Sequence, residues 1–151
     1  MVVMFRGSSI HNLDPKGRII VPARFRDVIR AGGRDAVMIT RMDKSLFAYT
    51  LDGWAKIEQR ILDMADMSEH MRRIRRYFVG GAFECSCDKQ GRVLIPPTLR
   101  GYAELEKEIV LVGLLDHFEI WSLENWNKEN EQMEIDLQKG VVHEEIARLG
   151  L

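Results

Sequence analysis

Asp14-Pro15-Lys16-Gly17-Arg18-Ile19-Ile20-Val21-Pro22 returns later in the chain as Asp88-Lys89-Gln90-Gly91-Arg92-Val93-Leu94-Ile95-Pro96. Both stretches read Asp-x-x-Gly-Arg, then three branched apolar residues, then Pro, and both continue to an Arg at the same offset, Arg26 and Arg100. An internal repeat outranks any single motif because it fixes the architecture before local assignments begin. The likeness continues outward. Val37-Met38-Ile39-Thr40 matches Ile109-Val110-Leu111-Val112, and the run from Leu46 to Trp54 matches the run from Phe118 to Trp126. The spacing is 74 residues at the Asp and 72 at the Trp, so the second copy is two residues shorter, with Ala31-Gly32-Gly33 the natural place for the difference. Gly7 and Gly81 also pair at the 74 spacing. Nearly the whole chain is one unit written twice, which predicts two halves, 1–78 and 79–151.

Each copy reads as strand, turn, strand, short helix, two strands and a longer helix. Asp14-Pro15-Lys16-Gly17 carries the Asp, Pro and Gly of a type I turn. Each following strand ends at a Pro that can open a helix, where its missing N–H is not needed. The short helices are expected at 23–29 and 97–103. Val37–Ile39 and Ile109–Val112 are short apolar runs of the kind that form buried strands. Beyond them, Trp54, Ile57, Ile61 and Met64 recur at helical spacing behind a cap expected at Asp52. A second helix behind Ser68 carries Met67, Met71, Ile74, Tyr77 and Phe78, with Arg72, Arg73, Arg75 and Arg76 on its other face. Ser122 caps a helix carrying Leu123, Trp126 and Met133, which Gly140 ends before a last helix with Val142, Ile146 and Leu149. These Met and Trp stripes read as core rather than as a ligand site.

The chain has 151 residues, enough for one solid core or two closely packed small ones. Its 46% hydrophobic and 30% charged content are those of a soluble globular protein. The longest apolar stretch, Ile109 to Leu115, is too short to span a bilayer. The N-terminus lacks a basic-then-apolar signal pattern, so a cytoplasmic location is expected. Cys85 and Cys87 have no second Cys/His pair at zinc-ligand spacing and read as two reduced core or edge residues. Net charge is −1, but it is unevenly placed. Residues 1–30 carry +4 and residues 70–103 carry +5, whereas residues 104–151 carry −8. Both repeated turns lie in the basic segments, a distribution that points to a polyanion-facing surface.

The turn chemistry sharpens that pointer. In a tight hairpin the Asp carboxylate accepts from backbone amides a few residues on and locks the loop. Gly permits a positive φ on re-entry to the next strand. Arg is then held beside the carboxylate at the tip of a rigid loop, and a guanidinium donates in bidentate fashion to phosphate or to the O6/N7 edge of guanine. Lys16 and Lys89 add flexible charges suited to phosphate. A single such turn reads as an Asp–Arg staple and nothing more. Two copies that both keep the Arg and a neighbouring Lys favour binding.

These residues carry a resemblance. The doubled Asp14…Arg18 and Asp88…Arg92 turns, with the Phe5-Arg6-Gly7 opening and the run Leu13 to Arg18, resemble the MraZ family of bacterial transcriptional regulators, in the AbrB-like, swapped-hairpin superfamily. The resemblance covers essentially the full length. It implies an α+β fold of two tandem AbrB-like (βαββ-type) halves, forming a pseudo-twofold swapped-hairpin β-barrel flanked by helices. It further implies ring-shaped homo-oligomers that bind direct repeats in the promoter of the division and cell-wall gene cluster, their own gene included, in the nucleoid. The DNA-contact candidates it implies are Asp14, Lys16, Arg18, Asp88, Lys89 and Arg92. Arg6, Arg24, Arg26 and Arg100 are secondary phosphate candidates placed by their nearness in sequence. The second turn departs in one respect: Gln90 stands where Lys16 does, and its Lys falls one position earlier.

The leading expectation is a DNA-binding regulator whose partners are double-stranded promoter DNA and further copies of itself, with no cofactor, metal, membrane or small-molecule substrate. The alternative is a protein-interaction or antitoxin-like barrel module in which the turns are only staples. An enzyme finds little support. His11, His70, His117 and His143 fall in no pattern with Cys or Ser, and no Gly-rich phosphate loop ending in Lys-Ser/Thr occurs.

Overall fold

The computed structural model describes residues 3–65 and 67–151. The first half runs β1 (Ser8–Asn12), β2 (Arg18–Ile20), α1 (Ala23–Ala31), β3 (Ala36–Met42), β4 (Ser45–Thr50), α2 (Leu51–Leu62) and α3 (Glu69–Ile74), which continues into a π-helical turn, Arg75–Val79. The second repeats the order as β5 (Phe83–Ser86), β6 (Arg92–Leu94), α4 (Pro97–Tyr102), β7 (Glu108–Gly113), β8 (Phe118–Ser122), α5 (Leu123–Lys139) and α6 (His143–Arg148). The two-residue difference between copies falls at the end of the short helix, which reaches Ala31 in the first half and stops at Tyr102 in the second. Helix starts follow local chemistry. Ser68 and Ser122 cap α3 and α5 through their hydroxyls, accepting from Met71 N and Asn125 N. The cap of α2 is Thr50 rather than Asp52: Thr50 Oγ1 accepts from Gly53 N at 3.0 Å, and Asp52 sits in the first turn, where its charge suits the helix dipole. Gly140, at φ +72°, closes α5 in the left-handed conformation.

The halves are interlocked. A six-stranded antiparallel sheet runs β1-β7-β8-β4-β3-β5, and β2 pairs with β6 as a separate two-stranded ribbon. The first strand of each half therefore pairs with the third strand of the other. His11 stands opposite Ile109 and Cys85 opposite Val37, positions that are repeat-equivalents of one another. A pseudo-twofold axis passes where equivalent residues face each other, Phe47 with Glu119 across β4 and β8, and Ile19 with Val93 across β2 and β6. The expected swapped pairing is present, with the strands arranged as a sheet plus a ribbon rather than one ladder closed all round. A bridge between Cys87 and Val93 links the second half's strand to the ribbon.

One core serves both halves. Ile19, Val21, Val93 and Ile95 from the ribbon pack with Val37, Ile39, Leu46, Ile109, Leu111 and Ile120 from the sheet. Phe5, Phe25 and Phe118 form an aromatic triad with centroids 5.1–5.3 Å apart, joining the N-terminal segment, α1 and β8. A smaller cluster of Val110, Val112 and Trp121 with Leu123 and Trp126 seats α5 on the outer side of β7 and β8. The apolar stripes divide. Trp54 is buried, stacked on Phe78 and packed against Tyr49, but Met64, Ile74, Tyr77 and Met133 are exposed and do not join the core of the single chain.

Candidate nucleic-acid interface

Both repeated turns fold alike. Asp14 Oδ1 accepts from Lys16 N at 2.9 Å and from Arg18 N at 2.8 Å, while Oδ2 accepts from Arg18 Nε at 2.6 Å. In the second turn Asp88 Oδ1 accepts from Gln90 N at 2.9 Å and Arg92 N at 2.8 Å, and Oδ2 accepts from Arg92 Nε at 2.8 Å. The shift from Lys16 to Gln90 leaves the turn unchanged, because that position contributes only its backbone amide. Gly17 and Gly91 hold φ of +88° and +77°, a region that other residues enter only with strain. Both carboxylates are held below the usual carboxylate range, first by the backbone amide of the Arg four residues on; partial desolvation opposes this, and the guanidinium adds to it. They are anions at neutral pH. Each Arg is thus tied through Nε alone, and among the described residues its two terminal nitrogens have no protein hydrogen-bond partner. A guanidinium anchored on its Nε edge presents its terminal fork to whatever lies outside.

The ribbon sets the two turns side by side. Arg18 pairs with Leu94, Ile19 with Val93 and Ile20 with Arg92. Val21 N donates to Gly91 O and Ile95 N to Gly17 O, both at 2.9 Å, so each turn is fastened to the other half's strand. Ile19 and Val93 point into the core, which puts Arg18 and Arg92 on the ribbon's outer face.

Arg26 and Arg100 cross over. Their sequence positions associate each with the turn of its own half; the structure sets each against the other's. An ideal Cβ on Gly17 would lie 2.6 Å from the Arg100 guanidinium, and one on Gly91 would lie 2.8 Å from that of Arg26. Glycine is required twice over at these points, for φ and for the guanidinium lying on it. The Nε atoms of both Arg26 and Arg100 are buried with no partner. Four guanidiniums therefore surround the paired turns, two stapled by Asp and two laid across glycine.

The remaining candidates fall outside this quartet. Lys16 and Lys89 are exposed at the loop tips. Arg24 Nε donates to Arg6 O at 3.3 Å and its Nη2 to Ser9 Oγ at 3.2 Å, so Arg6 and Arg24 form a group of their own along β1. Ser9 also meets His11 Nε2 at 2.6 Å. Burial, then the Arg24 charge, lowers the His11 pKa and keeps it neutral. Arg72, Arg73, Arg75 and Arg76 are exposed on α3 and the π-helical turn, away from the ribbon's hydrogen-bond set, with Arg73 paired to Glu69 at 2.8 Å. Cys85 is buried and Cys87 half-buried, and burial pushes their thiols up to about 11 and about 12, so neither is a nucleophile at neutral pH. Among the described residues no group of three or more His, Cys, Asp or Glu is placed to hold a metal ion, and no helix is long and apolar enough to cross a membrane. Reading the repeat as isolated turns misses Ile20 and Leu94, exposed on the ribbon between the arginines. The only trace of them in sequence is the in-and-out alternation of the three residues after each Arg.

A family model described as "MraZ protein, putative antitoxin-like" matches the chain twice, over residues 4–77 and 78–142. The chain is 64% identical over 98% of its length to the whole of a protein of Desulforapulum autotrophicum named transcriptional regulator MraZ. It is 51% identical, again over 98% of its length and all of the relative, to the protein of that name from Desulfosudis oleivorans. A third, from Desulforamulus reducens, shares 44% identity across 90% of this chain and 94% of its own.

Proposed function

This chain belongs to the MraZ family, and from that premise we propose that it is a sequence-specific DNA-binding transcriptional regulator that acts through its paired turns. The observation that carries the proposal is the pair of Asp-stapled guanidiniums, Arg18 and Arg92, related by a pseudo-twofold axis on one two-stranded ribbon. Such a ribbon fits the major groove, where a guanidinium fork matches the O6 and N7 of guanine. Asp14 and Asp88 aim the forks. Lys16, Lys89, Arg26 and Arg100 face phosphates, with Arg6 and Arg24 as outlying phosphate contacts. The staple and the reader are one device: Nε serves the turn, and the terminal nitrogens serve the DNA.

A near-neutral chain supplies few phosphate contacts, so its affinity depends on several copies acting together. The exposed apolar side chains of α5 and beyond, among them Met133, Ile135, Leu137 and Leu149, support self-association. A ring-shaped homo-oligomer in the nucleoid, seated on direct repeats in the promoter of the division and cell-wall cluster and of its own gene, is the assembly we propose. We read the working unit as two repeats, 1–78 and 79–151, that fold only together.

The test is a gel shift with the DNA upstream of this protein's own gene, against a scrambled duplex of equal length. A retarded species specific to the upstream DNA at physiological salt is expected. Equal retardation of both duplexes, or of neither, refutes sequence-specific binding.

A further inference from the structure

Ile20 and Leu94 stand where apolar side chains are out of place. They are 59% and 54% exposed, while their strand neighbours Ile19 and Val93 are 1% exposed in the core. Scattered exposed apolar residues are ordinary on a protein surface. These two are not scattered. The register places Leu94 directly opposite Arg18 and Ile20 directly opposite Arg92, so the outer face of the ribbon is a checkerboard of two fixed guanidiniums and two branched apolar groups. Directly paired residues have Cβ atoms about 4.5–5.5 Å apart. An apolar tip therefore lies within about one or two base-pair steps of the guanidinium opposite it, given the ~3.4 Å rise of a duplex strand.

We propose that Ile20 and Leu94 contact thymine C5-methyl groups, so that each half of the ribbon reads a guanine through its Arg and a nearby thymine through its apolar neighbour. This rests on the DNA-binding reading above and adds a second element to its specificity. The major groove is where the chemistry matches, because among the base edges displayed there only thymine carries a methyl group. The charge around the pair selects the occupant. Two copies of this face meeting symmetrically would bring four stapled guanidiniums together, and the like charges oppose that contact. A duplex satisfies the guanidiniums and the apolar groups at once. The side-chain difference, Ile in one half and Leu in the other, gives the two halves unlike apolar tips on otherwise matched turns.

The experiment replaces thymine by uracil in the bound upstream duplex, which removes the methyl group and leaves base pairing intact. For the wild-type protein the affinity is expected to fall about fourfold for each methyl group so removed from beneath Ile20 or Leu94. The Ile20→Ser, Leu94→Ser double variant, confirmed folded by its thermal melt, is expected to bind the thymine duplex more weakly and to ignore the exchange. Wild-type binding that is indifferent to uracil overturns the inference and leaves the regulator reading standing, and this comparison needs no variant. Full uracil sensitivity retained by the double variant also overturns it, by placing the methyl contact elsewhere. Failure of the wild type to bind either duplex sinks the regulator reading, and this inference with it.

Discussion

Asp14 and Asp88 each do two jobs with two oxygens, and the jobs can be separated. Oδ1 closes the turn through backbone amides, and Oδ2 holds the guanidinium. Asp14→Asn keeps an acceptor for the amides but loses the charged contact to Arg18, so it is expected to keep the fold with a modestly lower melting temperature at neutral pH and to bind upstream DNA more weakly. Asp14→Ala loses both, and its melting temperature should fall further; paired melts and gel shifts distinguish the two. Because both carboxylates titrate below their ordinary value, their stabilisation is complete at neutral pH. It is lost only as pH falls below about 4 toward their lowered values, so acid melts of the two Asp→Asn variants should converge on the wild type there. Gly17→Ala is expected to destabilise the protein by about 1–2 kcal/mol through its positive φ. It should also displace Arg100, visible as lower DNA affinity beside the denaturant midpoint. At this scale the sequence was highly legible. The Asp, Gly and Arg touch one another within five residues, so spacing alone predicts their contacts. Arg26 and Arg100 were legible as basic residues near the turns but not as partners of the opposite turn. That contact exists only because β2 pairs with β6 across the two halves.

The elements show the same limit from another side. The order of strands and helices follows from local patterning in both copies, and the exchange of first strands follows from the halves sharing one core. Helical periodicity finds the apolar face of α5, but it does not say what covers that face. Met133 is exposed in the single chain for that reason. Between β7 and β8, and equally invisible to periodicity, His117 stacks on Tyr49 at 5.1 Å and packs at a tilt against Phe47 at 4.8 Å. Its Nδ1 is 2.7 Å from Asp116 Oδ1, and its Nε2 is 3.7 Å from Glu119 Oε2, an ion-pair distance. Burial pulls the imidazole down, and the carboxylates of Glu119 and Asp116 more than offset it, so its pKa is raised. A raised histidine stabilises the fold fully below its unfolded value of about 6.5, and this is lost as pH rises through the folded value. Thermal stability is therefore expected to decline as pH rises above about 6.5 in the wild type and to decline less in His117→Gln, as differential scanning fluorimetry would record. An equal pH slope in both proteins would rule out His117 as the source of the decline.

Over the whole molecule, charge is segregated: the basic turns stand on one ribbon, and the −8 of residues 104–151 is divided between the two closing helices and the β7–β8 region before them. Self-association through those helices would multiply ribbons without adding net positive charge, and sedimentation should show a discrete assembly larger than a monomer. A monomer at working concentrations would contradict that. The uneven charge of a near-neutral chain and the two matched turns of the repeat meet only at this scale. The doubled Asp-x-x-Gly-Arg turn carries the proposed function, and a single titration tests it. Fluorescence anisotropy with upstream DNA over a salt series, for the wild type and for Arg18→Ala with Arg92→Ala, measures what the paired guanidiniums contribute. Wild-type affinity is expected to fall steeply with salt, with a log–log slope of about −0.9 per phosphate neutralised. The folded double variant is expected to lose its discrimination between upstream and scrambled DNA. Equal affinity and equal discrimination by the two proteins would contradict a reading role for the paired turns.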